Sequence, residues 1–188
     1  NQKKILIFGG YLLMPNIDSK ELADFFKKLK DQNYIIILDI AVTNNQTGLS
    51  DKIKDVLPFV DYFFPNVDES FQITNLEKPQ DQAKCFMDWG AKAIAITCGT
   101  EGVFFKDLEN VYQLEPYKID FVDGSGSGDA FTAGMAIGIS ESWPTLDSLK
   151  FGAVLGASVC RGLGCNTTLF SRDEALNAMS KMQVRSLV

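Results

Sequence analysis

The chain has 188 residues, is 46% hydrophobic and carries a formal net charge of −6, a composition that predicts one domain with a sizeable core and excludes a disordered segment. An acidic balance without a Lys/Arg run argues against a nucleic-acid or anionic-membrane surface, and no apolar stretch approaches the ~20 residues of a spanning helix. Histidine is absent and the four cysteines, Cys85, Cys98, Cys160 and Cys165, include no C-x-x-C pair, which speaks against zinc, Ser-His-Asp and Cys-His chemistry and predicts reduced thiols in a cytoplasmic protein.

Asn1-Gln2-Lys3-Lys4 leads directly into a strand-like run, Ile5–Phe8, and not into a signal peptide. Asp18 and Glu21 form an Asx variant of the capping box for a first helix, with Leu22, Phe25, Phe26 and Leu29 as its apolar stripe. Tyr34–Leu38 is the continuous apolar run of a buried parallel strand. Ser50 starts a second helix with Ile53, Val56 and Leu57 inward, and Asp61–Phe64 is the next strand. A helix over Pro79–Trp89 stops at Gly90, and Ala93–Ile96 is a further buried strand. This alternation predicts an α/β fold: a three-layer α/β/α arrangement with a mostly parallel central sheet.

In such sheets ligands gather at the carboxyl ends of strands. Asp39, Asn66, Glu69 and Thr97 fall there. Asn66 and Glu69, at i and i+3, share a face if a helix starts between them, and their oxygens suit Mg²⁺. Equally, Asn66 or Asp68 caps the helix that carries Phe71 and Ile73. The turn Thr97-Cys98-Gly99-Thr100-Glu101-Gly102 reads as a tight hairpin that needs its glycines. Val103–Phe105 and Val111–Leu114 follow as strands, with Asp107–Asn110 as the turn between them.

The most informative stretch is Phe121-Val122-Asp123-Gly124-Ser125-Gly126-Ser127-Gly128-Asp129-Ala130-Phe131. A β-type run, Tyr117–Val122, leads in, and a small-residue helix leads out, with Gly134 and Gly138 permitting close packing. Glycines on alternate positions free the backbone for φ > 0. A helix N-terminus presents unpaired N–H groups and the positive end of the macrodipole, which suits a phosphate. Asp129 at that terminus is placed to take a proton from an attacking hydroxyl. The competing reading is a flexible turn with Asp129 as a first-turn acid. No Gly-Lys-Ser/Thr follows, and Asp129 occupies the place where a dinucleotide fingerprint needs Gly or Ala.

Beyond it, Pro144 interrupts, and Leu146, Leu149, Ala153, Val154, Ala157 and Val159 outline a long buried helix that ends near Gly162. Ser171 and Glu174 form a capping box for the last helix, with Ala175, Ala178, Met179 and Met182 inward.

Asp123-Gly124-Ser125-Gly126-Ser127-Gly128-Asp129-Ala130-Phe131 resembles the C-terminal signature of the PfkB (ribokinase-like) family of carbohydrate and nucleoside kinases, usually Asp-Thr-x-Gly-Ala-Gly-Asp-x-Phe. The resemblance implies that Gly126, Ser127 and Gly128 form the anion hole for the transferring phosphoryl group and that Asp129 is the catalytic base. Gly124 departs from the usual Thr and Ser127 from the usual Ala. Asn66-Val67-Asp68-Glu69 resembles the family's Asn-x-x-Glu motif, which implies Glu69 and Asn66 as metal residues. Thr97, Gly99 and Gly102 match its Thr-x-Gly-x-x-Gly turn. With Asp123, Gly124 and a Gly164-Cys165-Asn166 loop similar to its adenine-edge loop, they are the implied nucleotide residues.

The resemblance runs from Ile5 to Met182 in the family's order. It implies ATP and Mg²⁺, admits a monovalent cation, and points to a small sugar or nucleoside acceptor with no nucleic acid or membrane partner. The family's first third, which supplies early strands, a lid and most acceptor contacts, has no counterpart here. The expectation is therefore a truncated kinase domain over 1–188, impaired alone, with its first strand at an open edge that a second copy or a missing segment covers. The alternatives are a non-catalytic nucleotide-binding module acting through a partner, and a flavodoxin-like domain, which accounts for the βα alternation but not for the Gly-Ser-Gly-Asp loop.

Overall fold

The computed structural model describes residues 3–43 and 46–187. Seven strands form one mixed sheet in chain order, flanked by helices. The backbone gathers into two units, one of Asn1–Thr97 with Phe104–Val111, the other of Cys98–Val103 with Tyr112–Leu187.

In the first unit, β1 (Lys4–Phe8), β2 (Tyr34–Asp39), β3 (Tyr62–Phe64) and β4 (Ile94–Thr97) pair in parallel, as the alternation predicts. Phe8 stands opposite Leu38, Asp39 opposite Phe64, and Phe63 opposite Ile94. Ile36, Ile37, Leu38, Phe63, Ile94, Ala95 and Ile96 are fully buried, the burial that an uninterrupted apolar strand requires on both faces. The helices are α1 (Ser19–Asp31), α2 (Leu49–Val56), α3 (Val67–Thr74) and α4 (Pro79–Asp88). Phe86 of α4 meets Phe63 edge-on with ring centroids 5.0 Å apart, and Phe26 of α1 meets Phe8 at 5.6 Å.

Several expectations shift here. Asp18 caps α1, accepting from the N–H groups of Lys20 and Glu21 at 2.9 and 3.1 Å, so the cap is one-sided where a reciprocal box was expected. Phe25 is exposed, and Ala23 joins Leu22 and Phe26 on the buried face. α2 begins at Leu49, behind Gly48 at φ 69°. β3 begins after Asp61, because that carboxylate turns to Lys30, to Lys92 (2.9 Å) and to the Ile36 N–H (2.9 Å).

In the second unit, β6 (Val111–Leu114) pairs antiparallel with β7 (Val184–Ser186), Leu114 opposite Val184. β5 (Val103–Lys106) belongs mostly to the first unit, as does the Asx turn that follows it, in which Asp107 Oδ1 accepts from the Glu109 and Asn110 N–H groups at 2.8 and 2.7 Å. The helices are α5 (Ser127–Ser140), α6 (Thr145–Val159) and α7 (Arg172–Met179). α5 and α6 meet backbone to backbone: a Cβ on Gly134 would lie 2.6 Å from Gly152 Cα, and one on Gly152 2.9 Å from Phe131 O. Phe151, Val154, Val159, Ala175 and Ala178 form the core beside them. Ser171 and Glu174 make the predicted capping box of α7, and Met179 and Met182 pack against that core.

The run Tyr117–Val122 is not a strand. Its last N–H groups do not join a ladder: Val122 N and Asp123 N both donate to Cys160 O, at 2.8 and 3.3 Å. On α6, Leu146, Ala153 and Ala157 are only half-buried, while Phe151, Gly152, Leu155, Gly156 and Ser158 are buried. The expected single stripe fails because α5 and the core both press on this helix.

Candidate active site

The Asp123–Asp129 loop opens α5 in a way its glycines make possible. Gly126 is the N-cap residue at φ 79°, a left-handed conformation in which no side chain caps the helix. Gly124 and Gly128 do not need that freedom. Ser127 N donates to Gly124 O (3.2 Å) and Ala130 N makes the first helical bond, to Gly126 O (2.9 Å). Between them, the N–H groups of Gly128 and Asp129 have no hydrogen-bond partner among the described residues. Nothing lies within 4 Å of a Cβ position on Gly128. Two free donors at the positive end of a helix are an arrangement that suits an anion.

Asp129 stands in the first turn of α5, exposed, with no side-chain partner among the described residues. Asp123 folds onto its own loop, its Oδ1 accepting from the Ser125 N–H (3.2 Å) and hydroxyl (3.1 Å). Ser127 is half-buried. Gly164, at φ 92°, belongs to the loop after α6. In that loop a Cβ on Gly126 would stand 2.7 Å from Cys165 Cβ. Arg161 ties the same loop back by donating to Thr168 O at 2.6 Å and stacking over the Phe170 ring.

The first unit brings Asn66, Glu69 and Thr97 together. Asn66 forms an isolated parallel bridge with Thr97 and is the N-cap of α3. Asn66 Oδ1 accepts from Glu69 N and Glu69 Oε2 accepts from Asn66 N, both at 2.8 Å. The reciprocal capping box is therefore what these two residues form here. Burial pushes the Glu69 carboxyl above the usual range, with the Asn66 N–H opposing and Asp68 adding to the rise. A half-buried carboxylate beside an amide oxygen is a donor set that suits a hard cation.

The turn after β4 is a 3₁₀ turn over Gly99–Glu101, closed by Cys98 N to Gly102 O at 2.8 Å. Gly102 sits at φ 84°, ψ −132°, and a Cβ there would lie 2.0 Å from Leu114 O. Its glycine is required by the backbone alone.

Cys160, buried at the end of α6, is read from the sequence only as a reduced thiol, while Cys165 is read as part of the Gly164-Cys165-Asn166 loop. The only available signal for Cys160 was its place shortly before that loop, and periodicity gives no hint that α6 ends under the glycines.

A model of the pfkB family of carbohydrate kinases matches residues 1–171. The chain belongs to that family. It is 30% identical over 112 residues to the ATP-dependent 6-phosphofructokinase of Thermoanaerobacterium thermosaccharolyticum, which is 60% of this chain and 35% of that one. The fold is shared with the Salmonella enterica aminoimidazole riboside kinase, solved with its riboside and an ATP analogue: TM-score 0.83 at 18% identity, over 95% of this chain and 63% of that one. An E. coli protein called ribokinase II, solved with ATP and Mg²⁺, gives 0.78 at 17% identity, over 94% and 58%. The chain spans between 35% and 54% of the first curated relatives it matches. Every loop of the candidate site lies within the family's matched span.

Proposed function

We propose that this pfkB-family domain binds ATP with Mg²⁺ and serves the transfer of the γ-phosphoryl group to a hydroxyl of a small sugar or nucleoside. The observation that carries the reading is the opening of α5, where two unpartnered N–H groups flank an exposed carboxylate at an uncapped helix start. Gly126, Ser127 and Gly128 seat the phosphoryl group, the free N–H groups meeting the charge it carries. Asp129 accepts the acceptor's proton as its oxygen attacks. A module that only binds nucleotide has no use for that carboxylate.

Asn66 and Glu69 would hold Mg²⁺ by oxygen, and the ion, when bound, neutralises phosphate charge. Thr97, Gly99, Gly102, Asp123, Gly124 and Gly164 are the nucleotide residues of this proposal. The single domain and its place in the cytoplasm belong to the same proposal. Among the described residues no helix is long and apolar enough to cross a membrane. With relatives longer than this chain, acceptor choice, pairing of copies and a monovalent cation are proposals for the whole protein.

Calorimetric titration of ATP into this chain, with and without Mg²⁺, tests the reading. Magnesium-dependent binding that survives Asp129→Asn supports it. Absence of binding to the chain, and again after addition of a segment equivalent to the family's first third, overturns it.

A further inference from the structure

Helix α3 opens on the two residues proposed to hold the metal, yet little apolar burial holds the helix itself. Of its eight residues only Ser70 and Ile73 are buried, and Phe71 is exposed. A helix this short does not persist on its own hydrogen bonds. One buried apolar side chain fixes a point on it and leaves its tilt free.

Both ends of α3 are gripped by Gln82. This side chain belongs to the neighbouring α4 and is fully buried. Its Nε2 donates to Val67 O at 3.2 Å and to Leu76 O at 2.7 Å. Val67 is the first residue of α3, directly after Asn66, and Leu76 follows the left-handed C-cap residue Asn75 (φ 57°). The two acceptors therefore bracket the helix. α4 in turn rests on the sheet through Phe86 and Phe63, so the amide carries the position of β3 across to α3. Gln82 Oε1 has no partner among the described residues. An amide buried with an idle acceptor costs stability that Met or Leu in its place would not. Filling space does not account for an amide here, whereas its two donor bonds do.

We infer that Gln82 is a positioning residue for Asn66 and Glu69: by tying both ends of α3 to α4, its amide sets the tilt of the helix whose start carries them. Asn66 and Glu69 are locked to one another by reciprocal bonds at 2.8 Å, so the pair moves as a unit with that helix start. The role rests on the functional reading for its metal, and the fastening is measurable without it.

Gln82→Met fills the same space without a donor, and Gln82→Leu is a second variant with the same loss. Amide hydrogen exchange on this chain reads the fastening. Both variants are expected to speed exchange at the Glu69 N–H about fivefold, the net loss of one hydrogen bond. Ala23→Gly on α1 lowers the stability of the same unit without removing either amide bond, and should leave Glu69 exchange close to wild type. Calorimetry with and without Mg²⁺ is expected to show the magnesium-dependent gain in ATP affinity falling by a similar factor in the Gln82 variants, with magnesium-free binding unchanged. Wild-type exchange rates at Glu69 in the Gln82 variants overturn the inference, as does equal acceleration in Ala23→Gly. Faster exchange with an unchanged magnesium-dependent gain also overturns it, and makes Gln82 a clamp of the fold alone. A wild-type chain whose ATP binding ignores Mg²⁺ counts against the functional reading, while the exchange order still decides whether Gln82 holds α3.

Discussion

The Cα and Cβ of Cys165 occupy the space that a side chain on Gly126 would need, at 2.8 and 2.7 Å from the ideal Cβ position. Gly126 is thus constrained twice, by φ 79° and by its neighbour. Gly126→Ala is expected to cost about 1–3 kcal/mol, from left-handed strain and overpacking together. Thermal melting checks the cost. Nucleotide titration should show a loss larger than the melting shift implies, because the α5 N-terminus moves with the loop.

Asp129 has no structural bond to lose. Asp129→Asn should leave the melting temperature and ATP affinity close to wild type and, in a protein competent for transfer, lower the turnover about 10²–10⁴-fold. Weakened ATP binding with unchanged turnover would remove Asp129 from the base role.

Asn66 and Glu69 allow capping and metal binding to be pulled apart. Asn66→Ala removes the N-cap acceptor of α3 and should cost about 1 kcal/mol. Glu69→Gln keeps an oxygen for the Asn66 N–H, so stability should change little while the magnesium-dependent part of ATP binding falls. A Glu69→Gln protein that binds ATP–Mg²⁺ as wild type does would confine the pair to capping.

Asp61 gives the chain an acid limb. Burial alone would raise its carboxyl, but the bonds from Lys30, the Ile36 N–H and Lys92 win and hold it below the usual carboxylate range. A folded value lower than the unfolded one means stability present above the unfolded value and lost as pH falls through the folded one. Asp61→Asn should destabilise the protein by roughly 1–3 kcal/mol at neutral pH and flatten the loss of stability on acidification. Melting curves from neutral pH down to pH 2 would measure both, and an unchanged acid limb would assign it to other carboxylates.

Legibility in the sequence followed physical range. Strands β2 and β4 are readable because Ile36–Leu38 and Ala93–Ile96 are buried, and few settings besides a covered parallel sheet bury so short an uninterrupted apolar run. The Ser171–Glu174 box and the Gly126–Asp129 helix start were readable because caps are local chemistry. Tyr117–Val122 misleads because its strand propensity is real, yet the run forms no strand and its last donor, Val122 N, is taken by Cys160 O, remote in sequence. β7 was missed because three residues, Val184–Ser186, carry no period, and only Tyr112–Leu114 gives them meaning. Asn66 and Glu69 were found, but the bonds they make with one another depend on a helix start that the motif alone leaves open.

Gly156 places bare backbone under Ser127. A side chain beneath a loop is an adjustable shim: one methylene more or less changes its height. Here the spacing is the thickness of two main chains, which no substitution thins and any addition exceeds. The proposed anion seat is in that sense machined and not fitted, and resizing the loop means moving α6 as a whole.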